Sequence, residues 1–414
     1  MDKYNQVLKK LKENNQEHII KLMENLTIEE KEELMNQVLK MDFSQIKELY
    51  ESTKKEIKKE NEKIEPIEYV DKSRLTEEEK IKLEKLGEEI IQKGQYAVVT
   101  MAGGQGTRLG YSGPKGTYKL EVGENGKYIF EILLDTLKRA NKKYNQEINW
   151  YIMTGKENDK ETKEFFQKNN YFGYNKEKIK FFHQENLPLM DKEGKILISK
   201  DLKIKEASNG NGGVYKALSK QVLEDMKEKG IKWVYICGVD NIMANMVDGL
   251  LLGLAIKRKV PTASKAIKKA YPEEKVGTFC RRNGKPSIIE YIEMTKEMIY
   301  AKNENGELLY GASNIIGHLF NIETLEMLAK KDLKYHLAVK KNSYINEKKE
   351  EIIPTEPNSY KFETFIFDGF EYVDDMIVMQ VDRDEEFAPI KNATGIDSPE
   401  SAKTIYEKYW NKKK

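Results

Sequence analysis

The residues best suited to chemistry lie in one stretch, Val98–Gly116, which reads VVTMAGGQGTRLGYSGPKG. An apolar run ends there in a glycine-rich segment that carries Arg108 near its middle and Lys115 at its far end. Only seven of the 71 basic residues are arginine, so an arginine inside a glycine loop carries more information than any single lysine. Glycines let backbone N–H groups turn toward an anion, and a helix N-terminus after a strand–turn would add positive potential. Two common phosphate motifs are excluded. Lys115 is followed by Gly116, so the G-x-x-x-x-G-K-[ST] pattern of a P-loop is not met. A dinucleotide fingerprint that started at Gly104 and Gly106 would need a third glycine at 109, where the chain has Leu109. Two fixed cations over one anionic centre suit phosphoryl or nucleotidyl transfer, where catalysis is mostly positioning and charge stabilisation. The plain competing reading is a turn with solvated cations.

Three further places have chemical potential. Asp240, in GVDN, closes an apolar strand pattern, and a carboxylate at a strand end can hold Mg²⁺ beside phosphate oxygens. Its structural alternative is a helix cap. Asp368, in FIFDGF, is a weaker second candidate. The NGNGG segment, Asn209–Gly213, opens a helical pattern, so its amides can face a ligand. By contrast, His18, His183, His318 and His336 are scattered, and Cys237 and Cys280 lie far apart. That argues against a catalytic Ser-His-Asp arrangement, a zinc cluster and a disulfide framework, and it fits a reducing cytoplasm.

The elements that must position these residues follow from periodicity. Strand-like runs (YAVVTM, NWYIMT, IKFFH, KWVYICG) alternate with amphipathic helical patterns (IFEILLDTLKRANKKY, KETKEFFQKN, GVYKALSKQVLEDMKEKG, GLLLGLAIKRK). This order predicts an α/β fold, doubly wound around a mostly parallel or mixed sheet, with helices on both faces. Such sheets bind ligands beyond the carboxyl ends of their strands, where Gly103–Gly116, Gln184 and Asp240 fall. Three regions are expected: an N-terminal helical region, 1–93, as a cap on the main domain; a central domain, 94–340; and a small C-terminal α+β region, 341–414, that completes the site. Charged residues 52–70 read as a connector, and Asn283-Gly284 as a hairpin turn.

Composition bounds the rest. The chain has 414 residues, 39% of them hydrophobic and 34% charged, with 71 basic against 69 acidic residues interspersed. No basic stripe for nucleic acid stands out, no apolar run approaches the roughly 20 residues of a membrane span, and no signal peptide is visible at the start.

The segment AGGQGTRLGYSGPKG resembles the signature loop of the UDP-sugar pyrophosphorylases, in particular their UDP-N-acetylhexosamine branch. FFHQENLP, SNGNGGVYKAL, YICGVDNIM, KVGTFC, IIEYIEM, SNIIGHLF, KFETFIFDGF and EEFAPIKN follow in the family's order, over about residues 96–400. The resemblance implies a Rossmann-like, GT-A-like nucleotide-diphospho-sugar transferase fold. It also implies a reaction: UTP and a sugar 1-phosphate give a UDP-sugar and pyrophosphate, by direct attack on the α-phosphorus with Mg²⁺ or Mn²⁺ as cofactor. By the same resemblance, the backbone amides of Gly103 and Gly104 would meet the uracil or the phosphates, Gln184 would hydrogen-bond uracil, and Gly210 and Asn211 would contact the uridine and the nucleotide sugar. Arg108 and Lys115 would hold the triphosphate and its leaving pyrophosphate, and Asp240 the metal. Gly277, Glu290 and Asn314 would contact the sugar, and Lys391, assisted by Lys361, its phosphate. N-acetylglucosamine 1-phosphate is the expected acceptor. Glucose 1-phosphate, a broad set of sugars, and a non-catalytic nucleotide-sugar binding protein remain as alternatives.

Overall fold

The run Tyr96–Met101 is buried along its whole length, as is Asn149–Thr154, which places both inside a sheet covered on two faces. The structure is a computed structural model and describes residues 2–54 and 62–413. Across the large sheet the order is Val70–Asp71, Ile377–Val381, Thr262–Lys268, Ala312–Asn321, Trp233–Gly238, Tyr96–Met101, Asn149–Thr154 and Ile179–His183. The last four run parallel, in a register that sets Tyr235, Val98, Trp150 and Ile179 in one row. Their carboxyl ends therefore emerge together, with Gly238 opposite Met101 and Thr154 opposite His183.

The sheet is mixed. Ala312–Asn321 is antiparallel to both of its neighbours. The reason is local: the chain returns from Thr262–Lys268 through a hairpin, Thr278–Arg282 with Lys285–Ile289, rather than through a crossover helix. Asn283 and Gly284 make its turn with φ of 51° and 82°, as the Asn-Gly pair predicts.

This sheet belongs to a unit built from Asn61–Gln184, Gly213–Asp332 and Ile366–Lys414. Its core joins Val98, Trp150 and Ile152 of the strands to Phe130, Leu133, Leu137 and Phe166 of the helices Ile129–Tyr144 and Asp159–Lys168. The single helix expected over 213–230 is two, Val214–Gln221 and Leu223–Glu228, broken where Val222 leaves helical geometry at φ −138° and ψ −8°.

The second unit gathers Met1–Glu60, Glu185–Gly212 and Leu333–Phe365. Its helices, Lys3–Glu13, Glu17–Glu24, Ile28–Lys40 and Phe43–Ser52, bury Val7, Leu11, Leu34, Val38 and Ile46 against Met190, Ile196, Ile198 and Phe362. The apolar face of the first helix uses Val7 and Leu11, with Leu8 only half-buried. Thr27 and Glu30 cap the third helix reciprocally. The three contiguous regions expected from sequence texture divide the chain differently from these two three-segment units. The connector expected over 52–70 lies partly outside the described residues; Ile64–Pro66 within it is a strand paired with Thr278–Arg282. No helix among the described residues is long and apolar enough to cross a membrane.

Candidate active site

The glycine loop leaves Met101 and folds back on itself as a braced turn. Lys115 N–H donates to Gly104 O (3.1 Å), Gly106 N–H to Gly113 O (2.9 Å), and Gln105 pairs with Pro114. Asn158 supports its root: the amide donates to Ala102 O (3.2 Å), and Oδ1 accepts from Gly155 N–H (2.7 Å). The segment does not run straight into a helix, as strand–turn–helix reasoning expects. Two 3₁₀ turns, Thr107–Leu109 and Lys115–Thr117, and a short hairpin follow, and the helix begins only at Ile129. Backbone amides and side-chain cations, not a helix terminus, are what this loop offers an anion. Gly104 is exposed with open space where a side chain would stand.

Gln184 directly follows Ile179–His183, the next strand but one from Tyr96–Met101, is buried, and donates its backbone N–H to Thr154 O (3.0 Å). Its side chain lies against Gly103, where a Cβ would be 2.6 Å from Gln184 Nε2 and 3.2 Å from Gly155 N. A side chain at Gly103 would displace the Gln184 amide and crowd Gly155 N.

Four of the expected residues form one electrostatic group. Lys115 is half-buried, and the charges of Asp240, Arg108 and Lys391 all act on it. Burial chiefly, with repulsion from Arg108 and Lys391 behind it, holds this ammonium below the ordinary lysine range; Asp240 pulls the other way. Three cations set against the carboxylates of Asp240 and Asp397 leave a net positive centre that suits an anion.

Asp240 is held by its backbone: its carbonyl accepts from Ile390 N–H (2.9 Å), which brings Lys391 to the same end of the sheet. Asp368 sits in the 3₁₀ segment Ile366–Tyr372, where its charge acts on Tyr215 and Tyr372. The carboxylate placed beside Asp240 is Asp397, which sequence reasoning missed. Asp397 Oδ2 is 3.8 Å from Lys391 Nζ, and its carbonyl accepts from the amides of Lys391 (2.6 Å) and Asn392 (3.0 Å). Burial raises its carboxyl above the ordinary range, Lys391 opposes that, and Asp240 adds to it. An acid six residues past the APIKN lysine gives no sequence signal, because the loop that folds it back is irregular.

No group of three His, Cys, Asp or Glu side chains among the described residues could hold a metal ion. A strand-end carboxylate with a second acid, Asp397, near it and cations at hand still suits Mg²⁺, which takes one or two carboxylates and fills its shell with phosphates and water. Asp240 fits that ion.

A second group gathers on the hairpin. Asn314 N–H donates to Gly277 O (2.9 Å), and a Cβ on Gly277 would lie 3.0 Å from Glu290 Oε1. Asn314 Oδ1 accepts from Ile316 N–H (2.9 Å), so its NH₂ is chiefly what it offers a ligand. Gly277, Glu290 and Asn314, distant in sequence, are neighbours.

The remaining candidates lie in the other unit. Gly210 has φ +88°, and a Cβ there would be 2.3 Å from Thr364 O, so only glycine fits. Asn211 opens the 3₁₀ turn Asn211–Gly213. Thr364 N–H donates to Asn209 O (2.8 Å) and Gly212 N–H to Thr364 O (2.9 Å). Lys361 Nζ is 2.7 Å from Glu363 Oε1, which already compensates part of its charge.

Comparison with known proteins identifies the family. The family model described as UTP–glucose-1-phosphate uridylyltransferase matches residues 40–401. The chain is 36% identical to UDP-N-acetylglucosamine diphosphorylase 2 of Arabidopsis thaliana, over 96% of this chain and 82% of that protein. It is 41% identical to UDP-N-acetylglucosamine pyrophosphorylase of Saccharomyces cerevisiae, over 78% and 70%. The crystal structure of the uridine diphosphate N-acetylglucosamine pyrophosphorylase from Trypanosoma brucei, in complex with inhibitor, superposes with a TM-score of 0.83 at 30% identity, covering 98% of this chain and 84% of that one. On these grounds the chain belongs to the UTP–glucose-1-phosphate uridylyltransferase family and is a nucleotidyltransferase with that family's α/β fold.

Proposed function

We propose that the chain transfers a uridylyl group from UTP to N-acetylglucosamine 1-phosphate, releasing pyrophosphate. A phosphate oxygen of the sugar 1-phosphate attacks the α-phosphorus of UTP in line; the bond to the β-phosphate oxygen breaks, and the electron pair leaves with pyrophosphate. The observation that carries the reading is that the charges of Arg108, Lys391 and Asp240 converge on half-buried Lys115. A centre with three cations and two acids, net positive, is suited to a triphosphate meeting a phosphate monoester, and it needs no nucleophilic side chain. The choice of N-acetylglucosamine follows the names of the relatives.

In this reading Gln184 and the amides of Gly103 and Gly104 hold the uracil end, and Gly210 and Asn211 the uridine and nucleotide sugar. Arg108 and Lys115 take the charge that develops on the leaving pyrophosphate. Lys391, assisted by Lys361, holds the sugar phosphate; Glu290 and Asn314 read the sugar hydroxyls and acetamido group beside Gly277. Mg²⁺ or Mn²⁺ at Asp240 would neutralise phosphate oxygens. The two cysteines are buried and unpaired, in keeping with a reducing cytoplasm.

The test is pyrophosphate release from UTP with Mg²⁺ and a panel of sugar 1-phosphates. N-acetylglucosamine 1-phosphate should turn over fastest. A preference for glucose 1-phosphate would move the assignment to that sugar, and no pyrophosphate with any sugar would favour a binding protein.

A further inference from the structure

Asn241 follows the candidate metal carboxylate Asp240 and is 5% exposed. Its side-chain amide makes three hydrogen bonds. Nδ2–H donates to Glu386 O (2.8 Å), and Oδ1 accepts from Ala388 N–H (2.9 Å) and Met243 N–H (3.2 Å). Two N–H groups face one end of the amide and a carbonyl faces the other, which settles its orientation. The backbone extends the same seam: Ile242 N–H donates to Ala388 O (3.3 Å), Asn241 bridges to Pro389, and Ile390 N–H donates to Asp240 O (2.9 Å). Lys391 is the next residue.

The far side of the seam is anchored as well. The carboxylate of Glu386 is 2.5 Å from Lys265 Nζ, and Lys265, with no exposed surface, also pairs with Asp248 (2.7 Å). The segment that carries Lys391 is therefore pinned to the core through Glu386 and joined to the Asp240 strand end through one side chain.

We infer that Asn241 is a positioning residue that sets Lys391 against Asp240 and Lys115. The inference rests on the uridylyltransfer reading above only for what Lys391 does. Three roughly 3 Å bonds from a buried amide hold two loops in fixed register, and catalysis by placed charges is sensitive to shifts on the order of 1 Å. Removing the amide leaves the fold's core intact but frees the 387–391 segment to move.

The experiment has a kinetic and a structural arm. In Asn241→Ala, kcat should fall about 10- to 100-fold while KM for UTP changes less than about threefold. Added to Lys391→Ala, the same change should cost less than about threefold more, because its effect passes through Lys391. Losses that multiply in the double variant, or an unchanged kcat in the single one, overturn the proposal. Hydrogen exchange of the Ile390 amide is the arm independent of activity. It should quicken at least tenfold in Asn241→Ala, with the Val98–Met101 amides unchanged; unchanged protection of Ile390 overturns the proposal. If the unaltered protein releases no pyrophosphate with any sugar 1-phosphate, the uridylyltransfer reading fails and the exchange result alone decides the role of Asn241. Should Asn241→Ala not fold, Asn241→Ser, which can satisfy at most part of the seam, carries both arms.

Discussion

The amide of Gln184 lies against Gly103 so closely that a Cβ on the glycine would stand 2.6 Å from its Nε2. The contact joins the first turn of the loop to the end of the next strand but one in the sheet. Gly103→Ala should therefore push Gln184 aside without disturbing the strands beneath. KM for UTP should rise on the order of tenfold, with kcat and the melting temperature changed much less. Steady-state kinetics with UTP varied, beside a thermal melt, checks this; an unaltered KM would show that Gln184 does not meet the nucleotide.

Arg108 is exposed at the rim of the cluster that acts on Lys115. If it holds the leaving pyrophosphate as proposed, that interaction strengthens as charge develops, so Arg108→Ala should lower kcat about 100-fold or more. Asp240→Asn should instead raise the Mg²⁺ concentration needed for half-maximal rate. A Mg²⁺ titration of the two variants separates these roles, and identical Mg²⁺ curves for Asp240→Asn and the unaltered protein would remove Asp240 from the metal site.

Lys265 compensates two buried carboxylates, Asp248 at 2.7 Å and Glu386 at 2.5 Å, and also reaches Asn245 O (3.1 Å). Lys265→Met keeps much of the volume but takes from both buried acids their closest cation, leaving only Lys72, 3.4 Å from Glu386, to compensate them in part. Removing one partner of a buried ion pair costs about 3–5 kcal/mol. Chemical denaturation should show a loss of that order.

Acid should destabilise the fold in two overlapping windows. His318 has no exposed surface, sits edge-on to Phe370 (5.1 Å between ring centres), and is 2.8 Å from Ser264 Oγ. Burial pushes its pKa from 6.5 down to about 3. Below pH 6.5 the unfolded chain binds a proton that the folded protein refuses until about pH 3. Stability then falls as pH drops through that window, by up to about 1.4 kcal/mol per unit. Asp248, whose carboxyl lies at about 2 against an ordinary 3.8, is desolvated by burial but overcome by Lys265 and Lys72. Its contribution is present above pH 3.8 and is lost as pH falls toward 2. Denaturation from pH 7 to 4 should show the first decline, and His318→Phe should flatten it.

The parallel strands, the helix Ile129–Tyr144 and the Asn-Gly hairpin are legible because each depends on nearest-neighbour periodicity or on one turn's dihedral angles. Ala312–Asn321 is not read as a strand, and its antiparallel sense is not legible, since direction depends on how the chain returns to the sheet. The grouping of the N-terminal helices with 185–212 and 333–365 is equally hidden. An amphipathic helix announces that one face must be covered, not what will cover it.

By itself the sequence determined the chemistry available: a glycine loop with a rare arginine, a strand-end acid, and a lysine in APIKN. Tertiary structure decided how these groups sense one another. It placed Arg108, Lys391 and Asp240 within reach of Lys115, added Asp397, and set Glu290 beside Gly277. The physical reason is that electrostatic and hydrogen-bond energies fall with distance through space. Lys391 is 151 positions from Asp240 along the chain, yet the bond from Ile390 N–H to Asp240 O makes them neighbours.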